Sequence, residues 1–593
     1  MSNEQRTDWI FRISKAERKE KDVLRHKAHM ESMLPDLREL IRRANKYFGA
    51  NVAVVERVKG EPVEYTLKEM KESIEALGTA LLADGFKGKH IAILAENSYD
   101  WLVAFFAIAC GVGVAVPLDK ELDDEALSRL LDKADCEAIF CTKPYFRTAK
   151  KHMESHPDFR CAFSMYRDGP DEKFINIDTM IARGKELIAA GDRTYIDAEI
   201  DNEAPMAILF TSGTTGANKG VMLSHKNICA NVESLLNTIP TEYSSFSVLP
   251  MNHVYELSCN CCTALYMNAV IYINDSLKNV QKNLMEFKPE AMVVVPMVIE
   301  GLYAGIWANA RQQGKEEALK KLVAFSNKLR KKGIDLRPIL FKTIQKKFCV
   351  RKFPTLSCGG APSRAEYMTG MGDFGFRIYN GYGMTEASPS HTVNLHAELN
   401  PASAGKPMPW REIIVHDPDE DGVGELWLKG DNIFQGYYKD PEATAASFED
   451  GWFKSGDYGR MTEDGELYVC GRKKNLIILE NGENIFPEDL EFSIMDAIGY
   501  VTEVVAIEST KMILGRPQKV IAAVTYIDPE QFDPAKTPEE IEQMYKADIS
   551  ALNKKLPSYK KIQDVILVDA PMEKNSTRKI IRQKIIAQYS ERA

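Results

Sequence analysis

The chain has 593 residues, more than one hydrophobic core usually supports, so several domains are expected. Its 45% apolar and 27% charged content is that of a soluble globular enzyme, and its net charge of −9 argues against a general nucleic-acid binder. Eleven cysteines without paired spacing fit a reduced, cytoplasmic setting, and the cluster Cys259, Cys261, Cys262 reads as buried small residues rather than a zinc site.

Met1 to Phe48 is charged and helical in spacing, with Leu34, Leu37, Leu40 and Ile41 recurring at helical intervals, and Met1 to Lys46 mixes acids and bases without the long apolar run expected of a secretory signal. Val52 to Val55 and Ile91 to Leu94 read as strands. The apolar run Trp101 to Leu118 is about the length of a short membrane span. Gly111, Gly113 and Pro117 interrupt it, so a buried helix to Cys110 and a strand from Val114 are the better expectation. A helix over Leu122–Ala134 and a strand at Ala138–Phe140 continue the alternation.

Next comes Thr211-Ser212-Gly213-Thr214-Thr215-Gly216-Ala217-Asn218-Lys219-Gly220, between the apolar runs Met206–Phe210 and Val221–Leu223. Strand, glycine-rich turn, strand is the expected local structure. Glycines bring backbone N–H groups close to an anion, and hydroxyls with Lys219 add polar and cationic contacts. It is not a Walker A loop, because Asn218 rather than Gly precedes the lysine and the turn leads into a strand. Taken alone it could be an ordinary polar hairpin.

Strands are expected at Phe246–Pro250, Val270–Ile273 and Ala291–Val295, with helices at His253–Tyr266, Leu277–Phe287 and Pro296–Trp307. A basic helical insert, Arg311 to Lys352, follows. A solvated face is the simpler reading, because no large apolar face opposes the charges; attraction to an anionic membrane surface is the sharper one. Three further turns place glycines beside hydroxyls, carboxylates or aromatics: Leu356–Pro362, Ile378–Glu386 and Trp452–Asp457. Strands alternating with helices predict an α/β fold of stacked mixed and parallel sheets, whose ligand sites gather beyond strand ends. After Gly471-Arg472-Lys473-Lys474-Asn475 a small α+β unit begins. The expected division is 1–48 helical extension, 49–472 large domain and 473–593 small mobile lid.

These motifs, in this order from about Val52 to Arg582, resemble the adenylate-forming superfamily of acyl-CoA synthetases, peptide-synthetase adenylation domains and luciferases. Leu249–Glu256 and the insert resemble long-chain fatty-acid–CoA ligases in particular. The resemblance implies that Thr211 to Gly220 holds the β- and γ-phosphates of ATP. Gly359, Gly360, Ala361 and Pro362 would line the adenine pocket, and Tyr382, beside Gly383, would stack on the ring. Thr385 would contact the α-phosphate and Glu386 would ligate Mg2+. Asp457 would bind the ribose hydroxyls, supported by Arg472. Lys474 would be the hinge, Lys579 the catalytic lysine and His253 a gate to the acyl pocket. Lys574, Arg578 and Arg582 stand near Lys579, and family spacing selects Lys579.

The implied reaction joins a medium- or long-chain fatty acid to coenzyme A through an acyl-adenylate, with Gly482 beside the pantetheine path. A carrier protein as acceptor, docked on Arg311–Lys352, and an aryl acid as substrate are the alternatives. Two departures stand out: Arg578 and Trp410 occupy positions where the family usually has glycine.

Overall fold

A computed structural model of the chain describes residues 15–165, 174–211, 218–240, 242–348, 354–478, 484–513, 516–529, 532, 536–574 and 580–590. Two large sheets form the body. The first runs Gly436–Tyr437, Lys219–Ser224, Pro205–Thr211, Val114–Pro117, His90–Leu94, Cys136–Cys141, Cys161–Ser164, Ile175–Asn176. Its strands from Pro205–Thr211 to Ile175–Asn176 pair in parallel. The second has nine strands, with Ala291–Val294, Thr355–Cys358 and Arg377–Gly383 parallel at its centre.

Helix Tyr99–Ala107 is buried along its whole length, which is why its sequence is apolar all round. Ser98 caps it by accepting from the Trp101 N–H. Trp101, Phe105 and Phe106 fill the core beside it. The run continues as a π-turn over Ile108–Val112, where Gly111 adopts φ 148°, and ends in the expected strand Val114–Pro117. No helix among the described residues is long and apolar enough to cross a membrane.

The described part of the N-terminal extension packs on this body. The guanidinium of Arg25 donates to the carbonyls of Met267 and Glu242, at 2.7 and 2.9 Å. Leu37, Leu40 and Ile41 are buried on the inner side of helix Leu37–Phe48.

Three expectations need correction. The helix expected over His253–Tyr266 is a π-helix at Tyr255–Cys262 followed by one α-turn, Thr263–Tyr266, because the Leu249–Asn252 loop is held by Asn97 and delays its start. The strand expected over Phe246–Pro250 is Ser244–Ser247, since the same loop begins before Pro250. The insert forms helices Glu316–Arg330, Arg337–Leu340 and Lys342–Phe348, and it does have an apolar face: Leu319, Leu322, Val323, Ile344 and Phe348 pack on the core beneath the nine-stranded sheet. Spaced irregularly over three short helices, that face is hard to see in one helical projection.

A five-stranded antiparallel sheet follows, built on Gly424–Lys429 and Trp452–Met461. The 3-10 turn Lys473–Asn475 then leads to the small domain. There Glu503–Ile513, Arg516–Tyr526 and Asp564–Val568 form a sheet packed against helices Pro487–Ala497, Pro538–Asn553 and Arg582–Tyr589. Trp410, where glycine was the family expectation, sits at φ 60° and is exposed. The backbone there takes the left-handed form, which explains why glycine suits it.

Candidate active site

Strands Pro205–Thr211 and Lys219–Ser224 form the expected hairpin, with Thr211 directly opposite Lys219. Two neighbours fix its base. Lys133 donates to the Asn218 carbonyl at 2.6 Å, and the Tyr438 N–H donates to the Gly220 carbonyl at 2.7 Å. Ser212, Gly213, Thr214, Thr215, Gly216, Gly482, Arg578 and Lys579 lie outside the described residues.

Thr211, Lys219, His253, Gly359, Gly360, Ala361, Pro362, Tyr382, Gly383, Thr385, Glu386, Asp457, Arg472 and Lys474 all border one continuous cavity of about 3510 Å³. Strand ends explain the convergence. Thr355–Cys358 ends at Gly359, and Arg377–Gly383 ends beside Thr385 and Glu386. Gly383 has no alternative: a Cβ there would lie 1.9 Å from the Pro389 carbonyl oxygen. Tyr255 packs below Gly359 and donates to the Ser357 carbonyl at 3.0 Å.

One wall of the cavity joins two sheets. Tyr382 donates its hydroxyl to Asp457 Oδ2 at 2.8 Å, and Arg472 Nε stands 3.3 Å from Asp457 Oδ1. Asp457 and Arg472 are direct cross-strand partners, so the ladder itself sets that pair. Burial, and then the Asp457 carboxylate, push the Tyr382 phenol well above its usual range, so it stays a donor.

The opposite wall contains a residue missed in the sequence. Tyr437 donates to Glu386 Oε1 at 2.9 Å, while Lys219 Nζ lies over its ring, 4.4 Å from the centroid. Gly436–Tyr437 pairs with Met222 and Val221, so the hairpin and the acidic turn are tied through this tyrosine. The Gly436-Tyr437-Tyr438-Lys439 run was the available signal, but only the ladder shows which aromatic faces Glu386. Burial, and then Glu386, raise the Tyr437 phenol far above its ordinary value. Glu386, oriented by this bond, fits magnesium, which needs one or two carboxylates and keeps its waters.

At the seam with the small domain, Lys474 is exposed, yet partial desolvation first, then the charge of Arg472, lower its ammonium to about 8. Arg364, missed in the sequence, reaches across from the large domain: its guanidinium donates to the carbonyls of Gly499, at 3.3 Å, and Val501. Lys574 pairs with Glu503 at 2.6 Å, and both Lys574 and Ile580 border the cavity.

An α/β body of stacked sheets with a small α+β domain at the rim of one large cavity defines the adenylate-forming class. The model for "AMP-binding enzyme" matches residues 41–438, and that for "AMP-binding enzyme C-terminal domain" matches 474–592. The chain therefore belongs to the AMP-binding enzyme family, and it is an acid–thiol ligase of the AMP-forming acyl-CoA synthetase type. It is 27% identical over 494 residues to a long-chain-fatty-acid–CoA ligase, FadD15, of Mycobacterium bovis, covering 80% of this chain and 79% of that protein. It is 25% identical over 636 residues to a chloroplastic long-chain-fatty-acid–[acyl-carrier-protein] ligase, AEE15, of Arabidopsis thaliana, covering 93% and 85%. Its fold matches O-succinylbenzoate coenzyme A synthetase of Bacillus subtilis, solved with ATP and magnesium ion, at TM-score 0.68 and 21% identity over 92% of this chain and 98% of that one.

Proposed function

We propose that the chain activates a medium- or long-chain fatty acid with ATP and transfers the acyl group to coenzyme A. The observation that carries this reading is the single cavity. Its polar end presents Asp457, Tyr382, Glu386 and Lys219, and it continues past His253 to Val298, Leu302, Ile306, Leu319 and Leu322. A nucleotide would use the first part, and an acyl chain matches the second.

A carboxylate attacking an α-phosphate brings two anions together, so positioning and charge neutralisation do most of the work. In this reading Asp457, a carboxylate with two acceptor oxygens, accepts the ribose hydroxyls. Gly359, Gly360, Ala361 and Pro362 border the adenine with Tyr382 across from them. Thr385 meets the α-phosphate, and Thr211 to Lys219 the departing pyrophosphate. Magnesium, held by Glu386, would neutralise phosphate charge. Residues 49–472 form the adenylating body, 473–593 the lid, with Lys474 at the hinge. Lys579 acts from the lid, and residues on both sides of it, Lys574 and Ile580, already face the cavity. Gly482 flanks the thiol path, and His253 gates the acyl arm.

A carrier-protein thiol is the second reading for the acceptor. Exposed Lys321, Lys328, Lys331, Lys332 and Lys346 on the insert favour docking of an acidic partner. The same lysines, beside exposed Phe325, Ile334 and Ile339, also suit peripheral contact with an anionic bilayer, which co-sedimentation with acidic and neutral vesicles tests.

The deciding experiment supplies ATP, magnesium and a panel of carboxylic acids and measures pyrophosphate release, with coenzyme A or holo carrier protein in parallel. Release with C8 to C18 acids and a thioester on coenzyme A are expected. Pyrophosphate release with none of the acids overturns the ligase reading, and a thioester only on the carrier protein moves the acceptor. Lys579→Ala should cut acid-dependent pyrophosphate release by roughly 100-fold or more, yet spare thioester formation from supplied acyl-adenylate. Equal loss in both steps would remove Lys579 from its role.

A further inference from the structure

A second group of chemically active side chains lies away from the nucleotide cavity, on two neighbouring helices of the first sheet's outer layer. Helix Asp124–Lys133 carries Asp132 in its last turn. Helix Phe146–Ser155 carries His152, and His156 follows at its C-cap. Four residues apart on helical backbone, the two histidines project to one side. Their rings stack, with centroids 4.0 Å apart and planes 17° from parallel.

Both Nε2 atoms turn toward the same oxygen. Asp132 Oδ1 is 3.1 Å from His156 Nε2 and 3.6 Å from His152 Nε2, and the three donor atoms lie within 4.8 Å of one another. Bonds of about 2.0–2.2 Å to a tetrahedral centre give donor–donor edges of roughly 3.3–3.6 Å. The two measured edges therefore already fall near that range.

The far side of each ring is anchored. His156 Nδ1 is 3.1 Å from the His152 carbonyl oxygen, which can only accept. Ser155 Oγ lies equally close to Nδ1, at 3.1 Å; with the hydrogen on Nδ1 donated to the carbonyl, a neutral ring has its lone pair on Nε2. His152 Nδ1 is 2.9 Å from Ser128 Oγ, a hydroxyl able to accept the same way. Anchoring one ring nitrogen to a carbonyl or hydroxyl and aiming the other inward is how proteins orient metal-ligating histidines. Two lone pairs converging on a carboxylate oxygen repel unless a proton or a metal cation sits between them.

We propose that Asp132, His152 and His156 bind a divalent transition metal of the zinc type, with water completing its coordination. Two imidazoles and one carboxylate suit zinc, cobalt, nickel or copper. They do not suit magnesium, which takes oxygen ligands, so this centre is separate from the one at Glu386. A depression of about 290 Å³ adjoins two of the three ligands, Asp132 and His152.

The site also has mechanical consequences. Lys133, next to Asp132, holds the Asn218 carbonyl at the base of the phosphate hairpin. Asp135, two residues further, accepts from Tyr438 and Lys439, both at 2.6 Å. A metal tying the two helices together would stiffen the support of the Lys219 strand without touching substrate.

The test uses the untagged, full-length chain, stripped with a chelator. Zn2+ is titrated in competition with a chromophoric chelator, and Co2+ is followed by visible absorption. One-to-one saturation is expected, with cobalt d–d bands and no thiolate charge-transfer band. His156→Ala and Asp132→Asn should each weaken Zn2+ binding at least tenfold. Zn2+ should also raise the melting temperature of the native chain more than that of either variant. His156 is partly exposed, and Asp132→Asn keeps the side-chain shape, so one of the two should fold even if the other does not. Absence of saturable binding, as a plain histidine–carboxylate ion pair would give, overturns the proposal. So does binding unchanged in both variants, or a thiolate band that places the ion on cysteine.

Discussion

The Asp457 wall and the domain seam border the same cavity but are built from different kinds of contact. The wall is strand-borne. Asp457 and Arg472 face each other across a ladder, and Tyr382 reaches them from the end of a strand in another sheet. The seam rests on a few polar bonds from side chains to loops, Arg364 to the carbonyls of Gly499 and Val501, with an exposed Lys474 in a 3-10 turn beside them. Ladders resist displacement because many backbone bonds must break together. A guanidinium on two carbonyls can let go at a cost of roughly 1.5–3 kcal/mol. The fixed wall suits a nucleotide that stays put through two steps; the seam suits a lid that must move between them.

The largest effect should come from the wall. Asp457→Asn keeps the shape but removes the charge that pairs with Arg472 and would accept the ribose diol. Loss of one charge-assisted hydrogen bond, about 1.5–3 kcal/mol, predicts a roughly tenfold to hundredfold fall in kcat/KM for ATP. Adenylation and thioester formation should suffer alike, because both use the bound nucleotide. Steady-state kinetics with varied ATP checks this; an unchanged KM and kcat would show that the wall does not hold the ribose.

Arg364→Ala should act on the balance between the steps instead. Freeing the lid from its present orientation, with Lys574 and Ile580 at the cavity, should slow adenylation by about tenfold or less while thioester formation from supplied acyl-adenylate holds or rises. Arg364→Lys, which can keep one of the two bonds, should fall between. A uniform loss in both steps would mean that Arg364 only stabilises the fold and that the seam is as rigid as the wall.

The smallest effect is a control confined to the large domain. Glu256 is fully buried on the π-helix Tyr255–Cys262, where Asn260 donates to it at 2.6 Å. Burial raises its carboxyl to about 7, against which its hydrogen bonds to Ser247 and Asn260 work only in part. Its folded value lies above its unfolded one, so the folded state holds more protons between about pH 4.5 and 7. Stability should then fall as pH rises through that window. Glu256→Gln should raise the melting temperature more at pH 8 than at pH 5, with the ratio of the two half-reactions unchanged. An equal shift at both pH values would deny the buried ionisation.

Much of the cavity was legible in the chain because its motifs are local. Thr211 to Gly220, Gly359 to Pro362 and Tyr382 to Glu386 each place glycines at a strand end, and strand ends converge in α/β sheets; Trp452 to Asp457, expected at a strand end, instead lies within strand Trp452–Met461. Tyr437, Arg364 and the Asp132–His152–His156 group were not legible in the same way. Tyr437 stands 51 positions from Glu386 and meets it only through a strand pairing. Arg364 needs the orientation of a second domain to have a partner. His152 and His156 are four apart, but their shared carboxylate comes from another helix. The insert misled for a related reason, since its apolar residues make one face only after three short helices have folded together.

By itself the sequence determined the class of fold, the order of its motifs and the chemistry they can offer, because backbone freedom, hydrophobic period and side-chain type act over a few residues. Tertiary structure decided which of those side chains share a wall, which aromatic orders Glu386, and which bonds hold the small domain. Those depend on sheet order and domain placement, which bring together residues tens to hundreds of positions apart and so leave no period or spacing to read in the chain.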